Sequence, residues 1–514
     1  MITLYDHQKE MVGNVRQAFR YVRNVLLQSP TGSGKTVMAA SMIHSSVAKG
    51  NKVFFICHRK EILDQTSLTM EKFEIDHGFI AANYPVNYFK QVQLCSIDTL
   101  KNRLESIPKP NLCIWDESHH ICAAGWTKVH EHLSSSYHLG LSATPCRLDG
   151  KGLNERFDFL VPGPQTSWLI DNGYLADYRL LNPTRPDMSG VGISMGKFIS
   201  SQSESVMDKP SIMGNIVETW KSVASDKLTI GFAVSRKHSQ KIVDAFNDAG
   251  IPAVHLDGET PKAERRDKLR SFARGDIRIV FNVGLFGEGF DISANSGMDV
   301  TVGCVIDAAP TMALGAWLQR CGRALRKQEG RAIIIDHSGN SMRHGMPCMD
   351  RVWTLEGKNL NKKEREEEEA SLPIKQCPKC YEVHRPSPSC PSCGHTYEVK
   401  HMKIKEISGE LNEVDPKELR KQARMEQGQA GTLAELEALA KARGKSPRMA
   451  QHILRAREEK KKLQDELFNL SVGAKIVGID LGLNRREINK LKPKALKEKI
   501  EWLNDQMRDS PQFN

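Results

Sequence analysis

Two stretches of this chain repeat one pattern, in which short and nearly continuous apolar runs alternate with helix-like segments. The first spans residues 1–150 and the second spans about residues 225–340. Strands that are apolar along their whole length are typical of a parallel sheet covered by helices on both faces. The pattern predicts two α/β domains in tandem. The strand candidates are residues 25–27, 53–57, 92–95, 112–115 and 139–141 in the first domain, and 228–232, 253–256, 277–281, 302–306 and 332–335 in the second.

Composition narrows the class of protein further. The chain has 514 residues, of which 39% are hydrophobic, and this excludes a wholly disordered chain. No apolar run approaches the roughly 18 residues that span a bilayer, and the first residues lack the pattern of a signal peptide. We therefore expect a cytoplasmic protein without membrane attachment. The net charge of +11 fits a polyanionic partner but specifies neither fold nor chemistry.

A glycine-rich segment at residues 29–36 follows the first strand candidate and precedes a helix-like run. Its glycines let backbone N–H groups turn toward phosphate oxygens, and the start of the helix adds its dipole. Lys35 would place a charge on the β- and γ-phosphates, and the Thr36 hydroxyl would bind Mg²⁺. A Gly/Ser-rich turn with a chance lysine is the alternative. The expected phosphate- and Mg²⁺-binding residues are Ser29, which replaces the usual first glycine, Gly32, Ser33, Gly34, Lys35 and Thr36.

An acidic pair follows the fourth strand candidate of the first domain. Asp116 would bind Mg²⁺, directly or through water, and Glu117 would take a proton from the attacking water. A solvated loop or a helix cap would be the ordinary explanation for such a pair alone. The phosphate loop about 80 residues upstream favours the catalytic interpretation.

The combination resembles superfamily 2 helicases and translocases over about residues 1–340, with many motifs in the family order. In the first domain the matching segments are residues 4–8, 29–36, 58–65, 96–100, 116–119 and 142–145. In the second domain they are residues 231–235, 255–258 with Arg265 and Arg266, 282–291 and 319–326.

The resemblance implies two RecA-like lobes with ATP and Mg²⁺ in the cleft between them. Arg323 and Arg326 are three residues apart, so on a helix they share a face. The implied roles are adenine recognition by Gln8, catalysis by Lys35, Asp116, Glu117, Arg323 and Arg326, nucleotide or metal contacts by Gly289, Asp291 and Gln319, coupling by His119, Ser142 and Thr144, and phosphate-backbone contact by His58, Arg59 and Lys60.

The tetrad Asp-Glu-Ser-His and Gln319 point away from DEAD-box proteins that remodel RNA and toward DExH-like, DNA-directed groups. The Gly-Phe-Asp of motif V and a C-terminal four-cysteine element resemble RadD-type bacterial DNA-repair helicases. The resemblance implies a DNA helicase or translocase of repair, recombination or replication, in a bacterial cell or a phage-infected host. Repair or replication proteins are expected partners, and a monomer is compatible with the sequence. An RNA helicase and a zinc-containing nucleic-acid adaptor are the alternatives.

Four of the twelve cysteines form two Cys-Pro-x-Cys knuckles. Their spacing, with nine residues between the knuckles, is that of a tetrahedral zinc site with four thiolates. Four ligands close the shell and leave no position for water, so the predicted zinc is structural. Unligated cysteines or two disulfides are the alternative, and the cytoplasm disfavours disulfides. The predicted ligands are Cys377, Cys380, Cys390 and Cys393.

The remaining sequence predicts helices and linkers. The tail, residues 401–514, has 24 Lys plus Arg and 18 Asp plus Glu, and its pattern predicts amphipathic helices that grip DNA or simply carry solvated charges. Its basic clusters are residues 417–424, 441–448 and 455–462.

The predicted order of domains along the chain is lobe 1 at 1–160, a connection at 161–220, lobe 2 at 221–345, a charged linker at 346–375, the zinc element at 376–400 and the tail at 401–514.

Overall fold

The computed structural model of the chain describes residues 3–147, 150–184, 186–194, 197–287, 289–357, 364, 367, 371–397, 425–443, 446, 448–476 and 481–508. The chain divides into two compact units, Met1–Val399 and Lys400–Asn514. The first unit contains two α/β domains and the four-cysteine element, as predicted. The second unit contains helices. Among the described residues, no helix combines the length and the apolar character needed to cross a membrane.

The first domain is built on a parallel sheet of seven strands in the order β3-β4-β2-β5-β6-β1-β7. The strands are β1 Asn24–Gln28, β2 Val53–Cys57, β3 His77–Ile80, β4 Val92–Ser96, β5 Leu112–Trp115, β6 Tyr137–Ser142 and β7 Phe159–Pro162. The α-helices are α1 Asp6–Ala18, α2 Lys35–Val47, α3 Lys60–Lys72, α4 Ile97–Leu100, α5 Ala124–His132 and α6 Thr166–Asp171, with 3₁₀ turns at Leu104–Ser106 and Ser118–His120.

The second domain has a parallel sheet of six strands in the order β12-β13-β11-β14-β15-β8. Its strands are β8 Tyr178–Leu181, β11 Thr229–Ala233, β12 Ala253–Leu256, β13 Ile279–Asn282, β14 Cys304–Ala308 and β15 Ala332–Asp336, and a hairpin of β9 Ile193–Ser194 and β10 Lys197–Phe198 lies outside the sheet. Its helices are α7 Ser200–Met207, α8 Pro210–Val223, α9 Arg236–Asp248, α10 Lys262–Arg274, α11 Ile292–Ser296, α12 Leu314–Cys321 and α13 Asn340–His344.

Both sheets are covered on two faces, as their apolar strands require. Successive side chains of a strand point to opposite faces of the sheet, so two adjacent residues of one strand pack in different apolar cores. Phe54 and Phe55 of β2 belong to two separate apolar clusters, and so do Val280 and Phe281 of β13. All four side chains are buried.

Each of the ten strand candidates overlaps a strand of the structure, but three sheet strands were not predicted. β3 contains a glycine and is only partly buried, and β7 pairs with β1 alone at the edge of its sheet. β8 comes from the predicted connection at 161–220, yet it pairs in parallel with β15 and is the edge strand of the second sheet. Part of that connection is therefore an integral element of the second domain.

The start of the predicted charged linker at 346–375 packs against the first domain. The side chain of Gln165 donates to the carbonyl of Arg351 at 3.0 Å and accepts from its N–H at 3.1 Å. The N–H groups of Leu153 and Asn154 both donate to the Leu355 carbonyl. Residues 346–357 therefore form an ordered strap. Most of the acidic run at 366–369 lies outside the described residues.

The second unit is a small helical assembly with its own apolar cores. Its helices are α14 Leu433–Ala442, α15 Arg448–Ile476, α16 Arg485–Lys490 and α17 Pro493–Arg508. Leu467 of α15 packs with Leu496 and Leu503 of α17, and all three are fully buried. Of the predicted basic clusters, residues 455–462 lie on α15, residues 441–448 are described in part, and residues 417–424 lie outside the described residues.

Candidate active site and four-cysteine element

The phosphate loop connects β1 to α2, as the sequence predicts. Gly32 and Gly34 have φ angles of 86° and 87°, in the left-handed region that favours glycine. Gly34 is the N-terminal cap of α2, so the backbone N–H groups of the first turn point into the loop. Thr36 is half-buried in that turn. The Ser29 hydroxyl donates to the Ser33 hydroxyl at 2.6 Å, a cross-link within the loop that a glycine at position 29 could not make.

Gln8 on α1 holds the loop from outside. Its side-chain N–H donates to the Ser33 carbonyl at 2.9 Å, and its side-chain oxygen accepts from the Tyr5 N–H at 3.0 Å. The side chain is buried, and a Cβ atom at Gly34 would lie only 2.5 Å from its nitrogen. Gln8 therefore fixes the backbone of the phosphate loop directly.

The acidic pair follows β5 and lies opposite the loop. Glu117 has a φ of 49°, a left-handed conformation that costs a non-glycine residue roughly 1–2 kcal/mol. Its carboxylate is buried and lies 3.5 Å from Nδ1 of His119. The turn is anchored by the Ser118 hydroxyl, which donates to the Leu141 carbonyl at 3.1 Å. The surroundings therefore hold Glu117 in a strained backbone conformation.

The charges of this site act on one another. Burial raises the pKa of Asp116 to about 7, and the negative charge of Glu117 adds to the shift. Burial lowers the pKa of Lys35, while Glu117 and Asp116 oppose that shift. The Lys35 ammonium donates to the carbonyls of Ser29 and Pro30 at 3.0 and 3.3 Å. Such a buried carboxyl beside a phosphate loop fits the ligand set that Mg²⁺ prefers.

The second domain contributes side chains from the end of α12. Gln319 donates to Oε2 of Glu117 at 3.3 Å and thus links the two domains. Arg323 is buried and donates to the carbonyls of Gly287, at 2.6 Å, and Phe290. Burial lowers the pKa of Arg323 to about 10, so it remains charged at neutral pH.

Arg326 and motif V complete this side of the cleft. Arg326 forms an ion pair with Asp291 at 2.9 Å, and both side chains are partly exposed. Gly289 lies against Ile62 of α3, because a Cβ atom there would lie 2.4 Å from the Ile62 side chain. The predicted residues of motifs V and VI thus contact one another and the first domain. Glu288 of motif V lies outside the described residues.

Two of the three predicted coupling residues, Ser142 and Thr144, lie at the end of β6, whereas His119 lies in the 3₁₀ turn after β5. The Ser142 hydroxyl donates to the Thr144 carbonyl at 2.8 Å and accepts from the Thr144 N–H at 3.2 Å. Thr144 also meets α12, since a Cβ atom at Gly315 would lie 2.6 Å from its hydroxyl oxygen. This segment therefore contacts the same helix that carries Gln319.

The residues predicted to contact the nucleic-acid backbone have mixed surroundings. Arg59 donates to the carbonyls of Gly284 and Leu285 in the second domain at 3.0 and 3.2 Å. His58 accepts from Nε of Arg59 at 3.2 Å, and its ring lies 4.9 Å from that of His120. Lys60 is exposed at the start of α3. Arg59 thus joins the two domains, a role that the sequence analysis did not assign.

A further contact between the domains was also missed. Arg265 of α10 forms a 2.9 Å ion pair with Glu61 of α3, and its side chain is only 7% exposed. The same guanidinium donates to the carbonyls of Asp257, Gly258 and Thr260. Both residues lie in recognised motifs, but only the fold reveals that they meet.

The four-cysteine element fits a tetrahedral metal site. The four Sγ atoms lie within 4.8 Å of one another, and the pairs Cys377–Cys393 and Cys380–Cys390 are each 3.6 Å apart. In a tetrahedral site with Zn–S bonds of about 2.3 Å, neighbouring sulfur atoms lie about 3.8 Å apart. The S–S bond of a disulfide is much shorter, about 2.05 Å. Burial opposes ionisation of Cys377, but the N–H groups of Cys380 and Lys379 outweigh it and lower its pKa. The donor set therefore fits zinc better than disulfides.

The element packs on the edge of the second sheet. It contains the two-stranded hairpin β16 Lys375–Gln376 and β17 Val383–His384. Glu382 pairs with Arg179 of β8 at 3.1 Å, and the Asn182 N–H donates to the Tyr381 carbonyl at 2.9 Å. Val383 belongs to the apolar core of the second domain. The element covers an edge strand that would otherwise expose unpaired backbone groups.

A phosphate loop, an acidic pair and basic side chains from a second domain define a two-domain nucleotide hydrolase. Residues 1–147 match the family described as "Type III restriction enzyme, res subunit", and residues 208–328 match "Helicase conserved C-terminal domain". The 51.5 kDa protein of a Lactococcus phage is 34% identical over 401 residues, which are 77% of this chain and 83% of that protein. The DNA 3'-5' translocase XPB2 of Sulfurisphaera tokodaii is 26% identical over 65% of this chain and 81% of its own.

The fold agrees with these matches. The fragment structure of an HsdR subunit of a type I restriction enzyme from Vibrio vulnificus has a TM-score of 0.51 at 18% identity, covering 66% of this chain and 65% of that chain. The chain belongs to the superfamily 2 helicases and is an ATP-dependent helicase or translocase. The family resemblance predicted from the motifs is confirmed at this level.

Proposed function

We propose that this chain moves on or unwinds DNA during repair, recombination or replication, and that ATP hydrolysis in the cleft between its two α/β domains drives the movement. The observation that carries the proposal is the 3.3 Å contact of Gln319 with Glu117. It brings motif VI of one domain to the acidic pair of the other. Closure and opening of this cleft would convert hydrolysis into steps along a strand.

The proposed roles follow from chemistry and position. The phosphate loop and Lys35 would bind the triphosphate, and Thr36 and Asp116 would hold Mg²⁺, which supplies charge neutralisation on the phosphoryl oxygens. Glu117 would accept the proton of the attacking water. Arg323 and Arg326 would stabilise the charge that develops on the transferred phosphoryl group. Gln8 would fix the loop and read the base.

DNA is favoured as the track for two reasons. The Asp-Glu-Ser-His tetrad is typical of DExH-like, DNA-directed groups, and one relative is by its printed name a DNA translocase. The narrower likeness to RadD-type repair helicases rests on motif V and the four-cysteine element alone. An RNA helicase, or an adaptor that binds nucleic acid without turnover, would leave a different signature in the following experiment.

ATP hydrolysis measured against single-stranded DNA, forked DNA, duplex DNA and RNA at one stated salt concentration tests the proposal. We expect DNA to stimulate hydrolysis well above RNA. Stimulation by RNA alone would indicate that the chain moves on RNA rather than on DNA. ATP binding with only background hydrolysis would favour the adaptor that binds nucleic acid without turnover. Because affinities for nucleic acid depend on salt, the panel is repeated at two ionic strengths.

We further propose that the helical tail adds grip on DNA. Arg455, Lys461 and Lys462 of α15 are exposed, so they can neutralise phosphates. Deleting residues 401–514 should weaken DNA binding and flatten its dependence on salt, whereas basal ATP hydrolysis should survive. Unchanged affinity would assign the tail to another task.

A further inference from the structure

The segment that connects β3 to β4, residues 81–91, exposes an aromatic ring to solvent. We call this segment the β3–β4 loop. Phe89 of the loop is 99% exposed, the highest fraction among the large hydrophobic side chains in the described part of the chain. Val86, three residues earlier, is 49% exposed. A phenylalanine has no polar group that water could solvate, so this ring is available to a ligand with an apolar face.

The backbone that carries the ring is held firmly in place. The side-chain amide of Gln93 in β4 donates to the carbonyls of Asn87 and Lys90, at 2.7 and 3.0 Å, on either side of Phe89. The Phe89 N–H donates to Oδ1 of Asn87 at 3.1 Å. The loop also lies close to β3, since a Cβ atom at Gly78 would lie 2.8 Å from the Asn87 carbonyl oxygen. An anchored loop loses little conformational entropy when its ring binds a ligand.

The β3–β4 loop leaves the sheet at the edge where the candidate active site lies. All strands of this sheet pair in parallel, so the loops that follow them emerge at one edge, where open α/β sheets bind their ligands. The phosphate loop follows β1 and the acidic pair follows β5, whereas β3 is five strand positions from β1, about 24 Å. The ends of β2, β4 and β3 thus extend this edge beyond the nucleotide site, over a length that suits a chain-like ligand.

Two contacts join the loop to segments that match helicase motifs. The Ala82 N–H donates to the Thr99 hydroxyl at 3.0 Å, at the start of the chain after β4. The Tyr84 hydroxyl donates to a carboxylate oxygen of Asp64 in α3, the helix that follows β2. Thr99 and Asp64 both lie in matching segments of the first domain. The β3–β4 loop therefore lies beside the part of this domain that we propose to face nucleic acid.

The loop suits a nucleic acid better than a protein. None of residues 81–91 is acidic, so the loop does not repel phosphates. A stable protein interface buries about 800 Å² on each partner, far more than one ring and one valine provide. A nucleic-acid base, in contrast, needs only one exposed ring face on which to stack.

We propose that Phe89 stacks on a base of the single strand along which the chain moves. The proposal rests on the proposed function and deepens it, because it names the residue that distinguishes single-stranded from duplex DNA. Every base has a flat face, so the contact accepts any sequence, as a motor requires. In a duplex the neighbouring bases cover these faces, so the contact favours a single strand.

Binding of two single-stranded oligonucleotides of equal length tests the stacking, one of thymidine and one whose sugars carry no bases. Phe89→Ala should weaken binding of the thymidine oligonucleotide by about five- to hundredfold and leave binding of the base-free one at the wild-type level. Phe89→Tyr keeps the ring and should restore the affinity. Tyr21→Ala is the matched control, because Tyr21 is 81% exposed but precedes β1 and so lies at the opposite edge of the sheet.

The dependence on salt separates stacking from charge. A ring releases no counterions when it binds, so Phe89→Ala should lose the same factor in affinity at every salt concentration. Lys60→Ala, at an exposed lysine on the same edge of the sheet, should instead flatten the dependence on salt.

The outcomes are distinguishable. Unchanged affinity for the thymidine oligonucleotide in Phe89→Ala, or an equal loss for both oligonucleotides, would overturn this inference while the proposed function stands. A wild type that binds the thymidine oligonucleotide but whose ATP hydrolysis no DNA stimulates would overturn the proposed function and this inference together. We expect a loss that is confined to the oligonucleotide with bases and that Phe89→Tyr restores.

Discussion

Gln319 of the second domain donates its side-chain amide to the carboxylate of Glu117 in the first domain, at 3.3 Å. Both side chains are buried, and Glu117 has a left-handed backbone conformation. The contact brings motif VI to the carboxylate that we propose as general base. It ties the position of that base to the closure of the two domains.

Removing the amide should therefore impair catalysis more than folding. Gln319→Ala deletes a hydrogen bond to a buried charge, which is worth about 1.5–3 kcal/mol. We expect DNA-stimulated kcat/KM for ATP to fall by the corresponding factor of about 10–150. Gln328→Ala is the control, since Gln328 donates to the carbonyls of Val302 and Ala324 within its own domain. Equal rates for the two variants would speak against the role of the contact.

The ion pair of Arg265 with Glu61 should stabilise the closed arrangement of the domains. Glu61→Gln leaves a buried guanidinium without its counter-charge, so we expect a loss of about 2 kcal/mol in the free energy of unfolding. Lys262 and Asp64 join the same two helices at 3.4 Å, but their side chains are 71% and 46% exposed. Lys262→Ala should cost about 0–1 kcal/mol. Urea unfolding of both variants measures the difference, and similar losses would contradict the account.

The sequence predicted the local features well because their signals are short in range. The phosphate loop is specified by eight consecutive residues, and the apolar runs of β2 and β13 leave little choice but a buried strand. The strand β8, Tyr-Arg-Leu-Leu, has no such signal, since its place in the sheet is set by pairing with β15, about 150 residues further along.

The contacts between the domains could not be predicted from the sequence for a similar reason. Arg59 and Arg265 each meet a partner that is distant in sequence, and neither charge nor spacing reveals it. The arginines of motif VI illustrate the limit. Their number and spacing were evident, but the binding of Arg323 to backbone carbonyls and of Arg326 to Asp291 required the structure.

A zinc ion in the four-cysteine element should be measurable directly. We expect about one zinc per chain in purified protein, and none in Cys377→Ser with Cys380→Ser, because two ligands cannot hold a structural site. Since Glu382 and Val383 of this element pack on the second domain, the double variant should also unfold at a lower temperature. Cys348→Ser, outside the cluster, should keep its metal. An unchanged zinc content in the double variant would show that these cysteines do not form a zinc site.

Stability should fall in mild acid because of a buried histidine. His138 accepts from the Trp115 indole N–H at 3.0 Å, and burial lowers its pKa to about 3. The unfolded chain takes up the proton below about pH 6.5 and the folded chain does not, so stability is lost as the pH falls from 6.5 toward 3. Between pH 6.5 and 5 the loss is about 2 kcal/mol for this residue.

The variant His138→Gln tests this contribution, because an amide oxygen can still accept from the indole but does not titrate in this range. The free energy of unfolding, measured by urea at pH 7.5 and pH 5, should depend less on pH in this variant than in the wild type. His44→Gln, at an exposed histidine, should leave the dependence as it is. A variant with the wild-type slope would show that other groups are responsible.

The most direct test of the central claim is ATP hydrolysis by wild-type protein and by Glu117→Gln, each with and without single-stranded DNA. Glutamine keeps the size of the side chain but cannot accept the proton of the attacking water. We predict that DNA stimulates hydrolysis by the wild type, and that Glu117→Gln still binds ATP but loses hydrolysis to near background. Hydrolysis by Glu117→Gln at the wild-type rate, or a wild type that DNA does not stimulate, would contradict a DNA-driven motor with its active site in this cleft.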